Sequence, residues 1–283
     1  MAWRASLRWL CFALYTTFFL TTPFAILWGL PGFAVGTIAA LSFLFYLAYR
    51  APERILARLG AREFRTAESP ALFALTREYC RRLGLTTPRV FILETPALNF
   101  ALFGHTRRRG FLIVTRGAMT SLPRECLGAL VARELAYLAG GEMTLETTLS
   151  QLLSLIDGLV MPRRVRTGQA APRFYPFGLF VRQILLYPFC LVPGYLLKRT
   201  QSAAHLDEGS VRIARDPLGL SEGLRWLQAR YDRVPLQVPF STRHLFLLPP
   251  PATDPLARVF FASLDIGDRI RAVERLRTAV PLA

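Results

Sequence analysis

At 283 residues, 52% of them hydrophobic and with a positive mean hydropathy, the chain is too apolar for an ordinary water-soluble protein and long enough for one large domain or two small ones. Its formal net charge of +16 comes almost wholly from arginine, Lys198 being the single lysine, and is spread along the sequence rather than gathered in one block. That spread suits adhesion to an anionic lipid surface; with no recognition helix, RNP-type aromatic motif or zinc knuckle in the sequence, nucleic acid is not an expected partner.

From Trp9 to Tyr49 no charged residue occurs, and "WGLPGF" breaks the run near its middle with turn-forming Gly29, Pro31 and Gly32. Each half is about 20 residues, enough to cross a hydrocarbon core of roughly 30 Å, so residues 1–50 read as a tight transmembrane hairpin. A cleaved signal peptide fits less well, because its apolar core is only about 7–15 residues. Arg4 and Arg8 precede the first half and Arg50, Arg54, Arg58, Arg62 and Arg65 follow the second. By the positive-inside rule both ends then face the cytoplasm.

"SPALFALTREYCRRLGL" predicts a helix with Ser69 as N-cap and Pro70 in its first position, ending near Gly84. "PRVFILE" predicts a strand over Arg89–Leu93, and two apolar runs, Phe100–Phe103 and Phe111–Thr115, flank a Gly-and-Arg turn and predict a β-hairpin. The run Arg107–Arg109 in that turn is a solvated turn in the plainest reading and a contact for lipid headgroups or an acidic segment in the other.

The next helix is expected to be capped by Ser121, with Pro123 in its first turn, a buried side at 127, 130, 131, 135 and 138, and an end at Gly140 and Gly141. It carries "LVARELAYLAGGEM", a zinc-protease pattern H-E-x-x-H in which Arg133 and Tyr137 stand where the two histidines would be and Glu134 remains. Residues 133 and 137 are a helical turn apart and share one face, the spacing two histidine ligands would need.

Two weaker apolar stretches follow. Leu145–Met161 is interrupted by Glu146, Gln151 and Asp157, and Phe174–Leu197 by Arg182 and three prolines, with the basic "PRRVRTGQAAPR" between them. A central Asp or Arg costs about 2.5–3.5 kcal/mol on the insertion scale, so an interfacial or partly embedded helical pair stands beside two full spans. Two helices are expected in "SAAHLDEGSVRIARDPLGLSEGLRWLQARY", then a Pro-rich loop through Pro255 and a terminal helix over Gly267–Thr278. Cys11 and Cys190 lie in apolar runs and Cys80 and Cys126 in predicted helices; together they form no metal or disulfide pattern.

In this order the pieces resemble the HtpX-like membrane zinc endopeptidases, gluzincins related to the CAAX prenyl proteases. The likeness covers nearly the whole chain. "TPRVFILETPALNFALFGHTRRRGFLIVTRGAM" is similar to the family's strand region, including Asn99 before an aromatic, and "GDRIRAVERL" to its closing helix. The resemblance implies an α+β membrane protein: an N-terminal transmembrane hairpin (1–50) and a mainly helical gluzincin-like peptidase domain with a small β-sheet (51–283). Within that domain, 143–198 would be a membrane-associated helical insertion. It also implies a bacterial inner membrane location with the soluble domain in the cytoplasm.

Carried across residue by residue, the family motif places Arg133 and Tyr137 at the two zinc-binding histidines and Glu134 at the general base. Asp207 in "SAAHLDEG" falls on the acidic residue that supports the ligands, which puts Ala203 at the third ligand, a glutamate. Arg269 and Ile270 fall on the end of the closing motif, with Ser263 at its histidine and Leu264 and Asp265 at its prolines. Zinc is the family's cofactor, yet arginine has no lone pair to offer, alanine no donor atom, and a neutral phenol is a poor ligand. Without zinc Glu134 has no activated water to deprotonate. The expectation is a member with a degenerate site, no metal and no catalytic residue beyond a vestigial Glu134.

Arg133 is either a solvated side chain or a stand-in for the lost charge that pairs with Asp207; a carboxylate retained in a cleft needs a partner or water, which favours the pair. Tyr137 fills the former metal cavity in this reading. His205 with Asp207, Glu208 or Glu134 is the route to a reassembled metal site. In active relatives the neighbouring edge strand receives the substrate as an added strand, so polypeptide binding could outlast catalysis. The expected role is binding a polypeptide or membrane-protein partner, as adaptor or regulator. The alternatives are a divergent metallopeptidase with an unrecognised ligand set and a structural membrane protein with a collapsed cleft.

Overall fold

The computed structural model describes residues 2–141, 143–160, 203–250 and 266–279. The apolar stretch 174–197 and the site position Ser263 lie outside them.

Helix α1, Ala2–Leu59, consists of two arms joined across Gly29, whose φ of 60° and ψ of −141° leave the helical region. A side chain at Gly32 would meet the Phe24 carbonyl oxygen at 2.1 Å, and one at Gly36 would meet Phe24 Cβ at 3.1 Å. On one straight helix Phe24 and Gly36 would lie about 18 Å apart, so the arms lie against each other beside this break. Farther along, Phe12 and Ala13 of the first arm cluster with Leu44 and Leu47 of the second. Among the described residues Leu7–Leu59 is the one helix long and apolar enough to cross a membrane, an 18-residue window of it reaching a mean hydropathy of 1.8. Most of its surface, including Leu14, Phe18, Ile26, Leu30 and Phe45, is exposed apolar side chain. The second arm continues as helix past Arg50 to Leu59, where Ala51 and Ile55 are buried against the sheet.

The sheet has four strands in the order β1 (Arg62–Glu63), β2 (Arg89–Leu93), β4 (Arg109–Thr115), β3 (Phe100–Thr106). The hairpin β3–β4 is antiparallel and β2 joins β4 in parallel, giving a mixed sheet. The two-residue β1, antiparallel to β2, is too short to carry a period in sequence. Helix α2, Pro70–Leu83, opens on its proline without a side-chain bond from Ser69 and closes on Gly84 in the left-handed region.

Ser121 does not cap the helix that bears the site. It ends a short helix α3, Arg116–Ser121, whose cap is Thr115, and α4 begins at Arg124 after Pro123. Nor is α4, Arg124–Gly140, buried on one side only. Cys126, Ala129, Arg133, Glu134 and Tyr137 are buried along with Leu130 and Val131, because the sheet, α2 and two later helices surround it. A one-sided apolar pattern belongs to a surface helix, and this one is central.

Helix α5, Met143–Val160, packs Leu145, Leu149, Leu152 and Leu153 against both arms of α1. Helices α6, Ala203–Ala214, and α7, Pro217–Tyr231, follow, and α8, Ile266–Ala279, ends the described chain. Three buried groups result: one around α4, one between α1 and α5, and one between the end of α1 and the outer face of the sheet.

Candidate functional site

Helix α6 lies close on α4. A side chain at Gly209 would meet Ala136 Cβ at 2.9 Å, and Ser210 Oγ donates to the Ala129 carbonyl at 2.6 Å. Glycine is the residue that permits this approach. Asp207 is thereby placed opposite Arg133, with Ala203 one turn earlier on the same face of α6.

Arg133 Nε donates to Asp207 Oδ1 at 3.0 Å, and its Nη1 donates to Glu134 Oε1 at 2.8 Å. A second arginine completes the group: Arg269 of α8 donates through Nε to Asp207 Oδ2 at 3.0 Å and through Nη2 to Oδ1 at 2.9 Å. Arg269 thus grips the carboxylate with a two-pronged fork, the strongest geometry available to this pair of groups. All four side chains are buried, at 7% exposure for Arg133, 2% for Glu134, 1% for Asp207 and 5% for Arg269. The solvated reading of Arg133 therefore does not apply.

Two guanidinium groups and two carboxylates cancel in formal charge, which is what makes burial of the set tolerable. Burial pushes the Glu134 carboxyl above the ordinary carboxylate range, against the pull of Arg133 beside it. Burial also acts to lower Arg133, but Asp207 and Glu134 outweigh it and hold the guanidinium above its ordinary value. Sequence reasoning placed Arg269 in the closing motif and did not see its bond to Asp207. The signal was present in "GDRIRAVERL", where one arginine falls on a helix face otherwise marked by Ile270 and Val273.

Tyr137 is buried one turn from Arg133, within the same core as Leu135 and Leu138. His205 is exposed on α6 while Asp207 and Glu134 are buried, so these groups are not assembled into one site. Among the described residues no three His, Cys, Asp or Glu side chains gather as a set that could hold a metal ion. His244 is buried with Nε2 3.0 Å from the Glu146 carbonyl oxygen, and burial pushes its pKa down to about 4.

The outer edge of β3, the expected place for an added strand, is covered by the chain itself. Ala101 forms an antiparallel bridge with Phe246, and the Leu247 amide donates to the Phe100 carbonyl at 2.8 Å. Asn99 clamps the same strap: Nδ2 donates to the Leu248 carbonyl at 2.7 Å, and Oδ1 accepts from the Leu248 amide at 3.2 Å. Farther along, the Gly104 amide donates to Thr147 Oγ1 of α5 at 3.0 Å. A peptide added to β3 would have to displace these partners.

Over 277 residues, 96% of this chain and 98% of the relative, the sequence is 25% identical to a Protease HtpX homolog of Thermodesulfovibrio yellowstonii. It is 23% identical over 254 residues to a protein of the same name from Pelotomaculum thermopropionicum, covering 88% of this chain and 90% of that one. A third, from Salinibacter ruber, is 26% identical over 263 residues, 89% of this chain and 93% of its own. No family model matches the chain, and no solved structure matches it.

Proposed function

We propose, from the premise that this chain belongs to the HtpX-like family along about nine-tenths of its length, that it is a non-hydrolytic member working by holding a polypeptide or membrane-protein partner. The relatives are named as proteases. In our reading the fold is kept and the chemistry is lost. Helix α1 crosses the bacterial inner membrane as a hairpin with both ends in the cytoplasm.

The observation that carries this reading is the closed ion cluster of Arg133, Glu134, Asp207 and Arg269. The residues at this place do not fit a zinc ion. A guanidinium offers no lone pair and repels a cation, Ala203 has no donor atom, and both oxygens of Asp207 are engaged by arginines. Glu134 gives one carboxylate oxygen to Arg133, and without a bound metal it would have no activated water to deprotonate.

A second reading, a structural membrane protein with a collapsed cleft, is favoured by the strap Phe246–Leu248 on β3. The two differ in whether the strap moves. Ala101 and Phe246 face each other across the bridge, so cysteines at both positions, in a Cys11→Ser background, would lock it. Tagged protein purified from native membranes is compared in locked and reduced forms, and both are incubated with an unstructured polypeptide to look for cleavage. A partner retained only when the strap is free, with no cleavage, is the expected result. Equal retention in both forms favours the structural reading, and cleavage overturns both.

A further inference from the structure

Three separate parts of the chain meet at one level. In the second arm of α1 the uncharged run ends at Tyr49, and charge begins at Arg50. Tyr46 and Tyr49 are 47% and 56% exposed there, as aromatic residues are at a bilayer interface. The end of β3 is fastened to this point: the His105 ring stacks on Tyr49 with centroids 6.1 Å apart, and Thr144 at the start of α5 donates to the His105 carbonyl at 2.6 Å. The turn that follows, Arg107–Arg109, is exposed, and between Thr95 and Pro123 the sequence has no acidic residue. Arg107 bonds the last carbonyl of α4, Gly140 O, at 3.5 Å, while Arg108 and Arg109 have no ion-pair partner among the described residues.

We infer that the β3–β4 turn is a binding site for anionic lipid headgroups, with Arg108 and Arg109 as the phosphate contacts and Tyr49 and His105 fixing its depth. The inference rests on the reading of α1 as a membrane hairpin. A lipid surface is favoured over an acidic protein segment because the turn is anchored to the aromatic border of the apolar arm, where headgroup phosphates lie. Arginine suits the task, since its planar donors match phosphate oxygens.

The test uses the full chain in phosphatidylcholine bilayers carrying spin-labelled phosphatidylglycerol or spin-labelled phosphatidylcholine, and reads the motionally restricted fraction of each. The wild type is expected to restrict phosphatidylglycerol in preference, the preference weakening as salt is raised. Arg108→Gln with Arg109→Gln is expected to cut that preference about twofold, one local site being averaged over the whole lipid shell. Arg225→Gln with Arg271→Gln, the same change in charge on the far helices, should leave it unaltered. Both lipids restricted without preference, or a preference untouched by the turn variant, overturns the inference and leaves the turn to an acidic partner. No restricted fraction for either lipid overturns the membrane reading instead.

Discussion

Arg133 and Asp207, 74 positions apart in sequence, meet through a 3.0 Å hydrogen bond in the interior of the protein. The bond joins the helix that resembles a protease's metal-binding helix to the one that would supply its third ligand. In the function proposed above, this permanent cation takes the place of a divalent one and answers the same carboxylate.

Arg133→Leu should destabilise the fold by about 3–5 kcal/mol, because it leaves Glu134 buried without its partner and Asp207 with one arginine in place of two. Arg133→Lys should recover part of that, lacking the fork but keeping the charge. Thermal unfolding in detergent measures both. A loss below about 1 kcal/mol for the leucine variant, the size expected of a surface pair, would contradict the buried cluster.

Asp207 sits between two arginines, so Asp207→Asn should cost more than Arg269→Gln. The pair should not be additive: the double variant is expected to fall short of the summed single effects by about 0.5–3 kcal/mol. A double-mutant cycle on the unfolding transition reads this directly, and additivity within error would show that the two groups do not interact.

His244 gives a pH dependence with a definite sign. Burial lowers its folded pKa to about 4 from an ordinary value of 6.5, so the unfolded chain takes up this proton first. Stability from the neutral ring is complete above about pH 6.5 and is lost as pH falls toward 4, by about 3 kcal/mol in all. The difference in melting temperature between wild type and His244→Phe should shrink or reverse over that window. A difference constant from pH 7 to pH 4 would show that the ring titrates normally.

Gly36 lets Phe24 of the first arm lie against the second. Gly36→Val should push the arms apart and lower the yield of folded protein in detergent, whereas the same change at the open position Gly140 should be mild. A cysteine pair at positions 24 and 36 should cross-link within one chain. Failure to cross-link under oxidising conditions would show that the arms do not run together.

Much of this was legible in the sequence where the signal is local. The strand Arg89–Leu93 and the hairpin β3–β4 were marked by apolar runs and a Gly-and-Arg turn, and the end of α2 by Gly84. Less legible was whatever depends on what surrounds an element. The cap of the site helix went to Ser121 because Ser-x-Pro is a common start, but Leu122 adopts an extended conformation and separates α3 from α4. The burial of α4 on every side follows from neighbours supplied by distant segments. Asn99 was visible as part of a family pattern, but its task of clamping Leu248, 149 residues away, is a tertiary one. Arg269 is a similar case: its position could be read, and its bidentate hold on Asp207 could not.

Elemental analysis of zinc in the detergent-purified protein tests the central claim most directly, beside a triple variant, Arg133→His with Tyr137→His and Ala203→Glu, that restores the family's ligands. The account predicts a metal-free natural protein and one zinc per chain in the variant. One zinc per chain in the natural protein would contradict it, since a bound ion there would require donor atoms other than those of the Arg133, Glu134, Asp207 and Arg269 cluster.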